Sequence, residues 1–239
     1  MNELDRYSPA YSPNSPSTLE CDLILHWYPR RIVERFGHCD SLLELGIGHG
    51  FTASLFNGAC DRHVIVEGSD VMIRQFQENN PSFGAELIKD WFESYKTDEQ
   101  FDVIVMGFIL EHVEDPGFLL DRYREKLNPG GRMFIAVPNA KSLNRRLGLE
   151  LGKIDDIYSL NENDIAQGHR RQFCLESLHT LVTGCGWRVI HQEGIYLKPL
   201  PLAALKDLPD FQENLQAMLR VGVDFPDLCV ALLMEVALE

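Results

Sequence analysis

Basic residues are scarce in this chain. Its 239 residues carry 22 lysines and arginines against 36 aspartates and glutamates, a formal net charge of −14. Nucleic-acid binding relies on clustered Lys and Arg that displace counterions from phosphates. Here Arg30-Arg31 and Arg170-Arg171 are pairs and not patches, so nucleic acid is not expected as a partner. Cysteine is equally thin. Cys21, Cys39, Cys60, Cys174, Cys185 and Cys229 stand apart with no C-x-x-C spacing, which suggests neither a disulfide framework nor a zinc site and fits a reducing compartment. No apolar run approaches the roughly 20 residues a membrane span requires, and the amino terminus lacks the basic, apolar, small-residue order of a signal peptide. These absences predict a cytoplasmic protein with no nucleic-acid or membrane partner. They leave its oligomeric state open.

What is present is globular. Hydrophobic residues make up 45% of the sequence, and the length suits one domain. Residues 1–40 read as an arm followed by a helix. The arm, MNELDRYSPAYSPNSPST, is too polar to bury a core and is expected to be mobile. The helix after it should be interrupted near Pro29. Residues 41–138 alternate short apolar runs with helical spacing, the pattern of a parallel sheet with right-handed crossovers. Residues 139–172 break that rhythm. A long irregular excursion in a compact domain is usually functional, and it is read as a substrate lid. Residues 173–239 add a helix ended by Gly184 and Gly186, a strand from Trp187 to His191 with a hairpin extension over 194–198, an amphipathic helix through Phe211 and Leu219, and a last apolar strand. The predicted fold is a doubly wound α/β sheet.

Three segments carry the chemistry. Residues 42–50 read LLELGIGHG, an apolar strand running into Gly46, Gly48 and Gly50, with helix-compatible residues after them. Strand, glycine turn and helix is how open α/β sheets hold a nucleotide or nucleoside, although a tight connection alone would look the same. The spacing departs from G-x-G-x-x-G because Phe51 takes the third glycine's place. Glu44 at the strand end would repel phosphates yet suit a cationic ligand. The second segment, HVIVEGSD over 63–70, ends its strand on Glu67. An acid about 20 residues past the first glycine turn is placed to grip a ribose diol; the plainer reading is a surface acid closing a strand. The third, FDVIVMGFILEHVEDP over 101–116, is a buried strand to Met106, then Gly107-Phe108. Asp115-Pro116 follows as a helix start, and Asn128-Pro129-Gly130-Gly131 should end that helix before a strand over 132–137.

Taken in order, ELGIGHG, VEGSD, IKDW, FDVIVMGFILEHVEDP and LNPGGRMFIAVPN resemble a class I S-adenosylmethionine-dependent methyltransferase, in the small-molecule group that includes ubiquinone-type O-methyltransferases. The specific motifs lie within residues 40–140. The resemblance implies a seven-stranded Rossmann-like sheet whose last strand is antiparallel between its neighbours. It implies S-adenosylmethionine as cofactor, with S-adenosylhomocysteine as product. Gly46, Gly48 and Gly50 would line its methionine and ribose, with Glu67 and Gly68 at the ribose. Asp90 would accept from the adenine amino group and Trp91 flank the ring. Gly107 and Phe108 would lie near the sulfonium, and Glu44 would face the cofactor's amino group. His112 recurs in members with different substrates, which places it on the cofactor side.

On the acceptor side, an imidazole can take a proton from a hydroxyl. His169, in QGHRR, is the first candidate, as a general base or as a residue that orders the lid. Arg170 and Arg171 could hold an anionic group, and Tyr7 and Tyr11 could form aromatic walls. Gly107, Phe108 and Ile109 offer no metal ligands beyond the fourth strand, so no metal is expected. The function expected is methyl transfer to a small-molecule hydroxyl in a biosynthetic pathway. An amine acceptor, or a non-catalytic cofactor-binding subunit, is the alternative.

Overall fold

The computed structural model describes residues 3–11 and 18–239. After a 3₁₀ segment at Glu3–Tyr11 come α1 (Thr18–Phe36), β1 (Cys39–Leu45), α2 (Phe51–Asn57), β2 (Cys60–Glu67), α3 (Asp70–Asn79), β3 (Glu86–Lys89), β4 (Phe101–Gly107), α4 (Pro116–Arg124) and β5 (Leu127–Pro138). Then follow α5 (Leu143–Glu150), α6 (Glu162–Gln167), α7 (Leu175–Gly184), β6 (Trp187–Ile195), α8 (Leu202–Leu205), α9 (Phe211–Gly222) and β7 (Ala231–Leu238). The strands form one seven-stranded sheet in the order β3-β2-β1-β4-β5-β7-β6. β1 to β5 are parallel, and β7 runs antiparallel between β5 and β6. The predicted doubly wound sheet with its antiparallel last strand is the fold observed.

Strand alternation sorts the core onto two faces. Leu43, Leu45, Ile104, Met106, Met133 and Ile135 point to one face, where Leu119, Leu120 and Tyr123 of α4 and Leu178 and Val182 of α7 cover them. Leu42, Val103, Val105, Phe134 and Ala136 point to the other, beneath Tyr28 and Ile32 of α1 and Leu215 and Leu219 of α9. The chain order reverses between β1 and β4, so a crevice opens beyond their carboxyl ends, the ligand position of such sheets.

α1 is also tied to the sheet by ions. Glu193 of β6 is fully buried and takes two bonds from Arg31, Nε–Oε1 at 2.8 Å and Nη2–Oε2 at 2.9 Å. Glu235 of β7, also buried, accepts from Arg35 at 2.7 Å and Arg132 at 2.8 Å. This anchoring accounts for the first correction: α1 runs unbroken through Pro29. Proline removes one donor and crowds the preceding turn, but buried Tyr28 and Ile32 and the Arg31 ion pair hold the helix on both sides.

Two further expectations shift. α4 stops at Arg124 and β5 begins at Leu127, so Asn128 to Gly131 lie within the strand. The strand accommodates them by a break in register with β4 between Phe101 and Val103. Trp187 to Ile195 form one strand and not a hairpin, because β7 pairs along its whole length, again with a register shift between Val189 and His191.

Candidate active site

A cavity of about 1110 Å³ opens at the carboxyl ends of β1, β2 and β4. The glycine turn forms its floor. Gly46, Gly48 and Gly50 all have positive φ, +82°, +52° and +79°, which residues with a Cβ adopt only with strain. A Cβ on Gly48 would meet nothing within 4 Å, so the bare backbone there faces open space. Glu44 also lines the cavity, but its carboxylate has protein partners: Oε1 accepts from the Thr52 hydroxyl and Oε2 lies 3.0 Å from His63 Nε2. It braces the first turn of α2 against β2.

Glu67 stands at the end of β2, 8% exposed. Oε2 accepts from the Ile47 amide at 3.0 Å and Oε1 from the Ser69 amide at 2.7 Å. Burial pushes its carboxyl above the usual glutamate value, partly offset by the amides of Ile47, Ser69 and Gly68. Each carboxylate oxygen has a second lone pair for a ligand hydroxyl. Asp90 Oδ1 accepts from the Trp91 amide at 2.8 Å and the Ser94 hydroxyl at 2.6 Å, and Trp91 presents a 42% exposed indole to the cavity.

At the end of β4 the backbone is crowded. A Cβ on Gly107 would come within 2.3 Å of Tyr28 Oη, so glycine is what lets α1 deliver that phenol to the sheet edge. Phe108 holds φ at +59° and packs edge-on against Tyr28. A bulky residue in the left-handed region stores strain, a feature that gathers at ligand sites. Burial first, then Glu44 and Glu111, keep the Tyr28 phenol protonated.

The N-terminal segment reaches this site. Asp5 accepts from the Ser69 hydroxyl at 2.8 Å, and the Leu4 and Tyr7 side chains lie against Gly68 and Gly168. The segment therefore bridges the end of β2 and the end of α6. The expectation for the Tyr11 side chain, and the remainder of the arm, lie outside the described residues.

The stretch after β5 carries α5 and α6 and brings His169 to the cavity. Gly168 closes α6 in the left-handed conformation, and the His169 amide donates to the Asp164 carbonyl at 2.9 Å. His169 Nδ1 sits 3.2 Å from Asp164 Oδ1, at ion-pair distance but poorly aligned for a hydrogen bond. Burial would raise the Asp164 carboxyl, yet the His169 ring and the Asn161 amide hold it below the usual range. His112 meets His169 edge-on with ring centroids 4.8 Å apart. Burial, then the neighbouring His169, lower the His112 pKa to about 3, so it is a neutral imidazole. His112 and His169 thus line the same part of the cavity.

Glu111 is the residue that spacing did not single out. It lies beside His112 in EHVEDP, is completely buried, and neither carboxylate oxygen has a hydrogen-bond partner among the described residues. Burial raises its pKa to about 7. Of the two arginines expected at the acceptor, Arg170 lines the cavity. Arg171 is a correction: its Nη1 and Nη2 donate to the carbonyls of Leu110 (3.0 Å), Val113 and Glu114 (2.8 Å), so it staples the β4 exit, and unlike Arg170 it does not line the cavity. Lys198, its side chain 14% exposed, forms an ion pair with Glu20 at the cavity wall.

Among the described residues no helix is long and apolar enough to cross a membrane. No curated protein matches the chain. Solved structures do. One is an N-methyltransferase, NodS of Bradyrhizobium japonicum WM9, in complex with S-adenosyl-L-homocysteine: TM-score 0.60, 15% identity, 99% of this chain and 98% of that one. An S-adenosylmethionine-dependent methyltransferase of Mesorhizobium loti gives TM-score 0.61 and 16% identity over 90% and 98%. The glycopeptide N-methyltransferase MtfA, complexed with sinefungin, gives TM-score 0.59 and 14% identity over 90% and 94%. The sequence profile described as "Methyltransferase domain" matches residues 11–192. With a glycine turn and a buried acid lining a cavity at the switch point of its Rossmann-like sheet, the chain belongs to the methyltransferase-domain family.

Proposed function

We propose that this enzyme transfers a methyl group from S-adenosylmethionine to a hydroxyl oxygen of a small biosynthetic acceptor. The observation that carries this reading is that one cavity joins Glu67 and the Gly46–Gly50 turn to His169 under the lid. The bound cofactor supplies the activated methyl; what remains for the protein is alignment and proton removal. Glu67 would hold the ribose, and the open backbone at Gly48 would admit the methionine end. Trp91 would flank the adenine, with Asp90 accepting from its amino group. Arg170 and Tyr7 would meet the acceptor. His169, oriented by Asp164, is the residue proposed to activate its hydroxyl. An amine acceptor is the second reading, since two of the similar structures are N-methyltransferases.

Calorimetry tests the cofactor: S-adenosylhomocysteine should bind and NAD should not. Radiolabelled methyl transfer to matched panels of alcohols and amines then separates the readings. With an acceptor in hand, His169→Ala should lower kcat about 10²–10⁴-fold while S-adenosylhomocysteine affinity barely moves. His169→Gln can still hydrogen-bond and order the lid. Near wild-type kcat in that variant would make His169 a lid anchor only.

A further inference from the structure

Glu111 poses a problem that methyl transfer alone does not solve. A completely buried carboxyl with both oxygens unpartnered is costly unless a positive group arrives. The guanidinium whose charge reaches it, that of Arg171, is already bound to three backbone carbonyls. Two imidazoles stand beside it: one ligand atom each from Glu111, His112 and His169 lie within 4.8 Å of one another, and all three residues line the cavity.

The geometry points to a divalent first-row cation held by Glu111, His112 and His169 at the acceptor end of the cavity. Two imidazoles and one carboxylate are a donor set suited to such ions, leaving positions open for a substrate oxygen. Each imidazole also has the outer partner that metal-binding histidines usually have. Asp164 Oδ1 lies 3.2 Å from His169 Nδ1, and His112 is hydrogen-bonded to the Gly168 backbone. The same partners that order the lid would therefore aim both rings. Ligands on one ion sit about 3–4 Å apart, so side-chain rotations of roughly an ångström would close the set.

The cation's role, though not its binding, rests on the methyltransferase reading. The acceptor hydroxyl would ionise on the cation and its proton would pass to solvent. The oxygen lone pair would form the O–CH₃ bond as the C–S bond breaks, and that electron pair would return to sulfur. His169 would then activate the hydroxyl as a ligand and not as a base.

The test needs no acceptor. The full chain, stripped with a chelator, is titrated with Co²⁺ and followed by its visible d–d absorption, with and without S-adenosylhomocysteine. We expect one Co²⁺ per chain, displaced by Zn²⁺. Glu111→Gln should weaken it on the order of tenfold or more, and Asp164→Asn, which removes no ligand, about 10–100-fold. S-adenosylhomocysteine calorimetry on each variant checks the fold. A wild-type chain that binds S-adenosylhomocysteine but takes up no stoichiometric Co²⁺ overturns the site. So do folded Glu111→Gln and Asp164→Asn variants with wild-type Co²⁺ affinity, which would place the ion on surface histidines. Either result leaves the methyltransferase reading standing, whereas failure to bind S-adenosylhomocysteine would sink that reading without touching the cation titration.

Discussion

At the scale of single residues, Glu67 and Gly107 make separate demands. Hydrogen bonds to a charged group are worth about 1.5–3 kcal/mol, so Glu67→Ala should weaken S-adenosylhomocysteine binding tenfold or more in a chain that still folds; unchanged affinity by calorimetry would remove Glu67 from the site. The acceptor form is the carboxylate, and burial raises its pKa. Affinity should therefore fall as pH drops through that raised value, earlier than an ordinary glutamate would allow, and Glu67→Ala should lose this dependence. At Gly107 a methyl group would strike Tyr28 Oη at 2.3 Å but Tyr28 Cζ and Cε2 only at 3.0 and 3.1 Å. Overpacking of this kind costs about 1–3 kcal/mol. Gly107→Ala should destabilise by that much in urea melts, and Tyr28→Phe should recover part of it; additivity in the double variant would show that the two do not meet. The place of Glu67, Gly46 and Gly48 at the cavity was legible because their signal is local spacing around a strand end. Glu111 was not, because what distinguishes it is the absence of a partner, and only packing decides that. Arg171 misled for the converse reason: its partners are carbonyls on another element, invisible to a reading by residue type.

At the scale of elements, the strand cores were readable from their apolar runs, and the errors fell where tertiary contact overrides a local rule. Pro29 should have broken α1, yet Arg31 and Arg35 fasten that helix to Glu193 and Glu235. Removing one partner of a buried pair leaves an uncompensated charge, at about 3–5 kcal/mol when burial is complete. Arg31 is 23% exposed and His191 also meets Glu193 at 3.0 Å, so Arg31→Met should cost less, about 2–3 kcal/mol. Denaturant titration checks this. A loss below what a surface pair gives, about 1 kcal/mol, would mean that apolar packing alone holds α1. Because α1 also delivers Tyr28 to the cavity, the same variant should weaken S-adenosylhomocysteine binding if the helix shifts.

At the scale of the whole molecule, the sheet supplies a rigid floor and two separate stretches of chain supply the cover. The excursion after β5 was visible as a break in rhythm, whereas its meeting with the N-terminal segment was not, since no sequence pattern links residue 7 to residue 168. Tyr7 lies against Gly168, which holds φ at +86°, and a Cβ there would come 2.9 Å from the Tyr7 ring. Apolar side chains of the cover are left unpacked: Leu151 and Ile165 are 67% and 61% exposed. It therefore buries little apolar surface to offset the entropy of ordering, and ligands filling the cavity should supply the missing contacts. Limited proteolysis should then cut within 150–168 in the free chain and spare it when S-adenosylhomocysteine and an acceptor are bound. Gly168→Ala both strains the α6 exit and pushes on Tyr7, so it should keep the segment cleavable in the complex while the sheet remains resistant. Tyr7→Ala removes the ring without straining Gly168. If the cover closes as one body, that variant should also stay cleavable at the lid, and wild-type protection in Tyr7→Ala would show that the lid closes without the N-terminal segment.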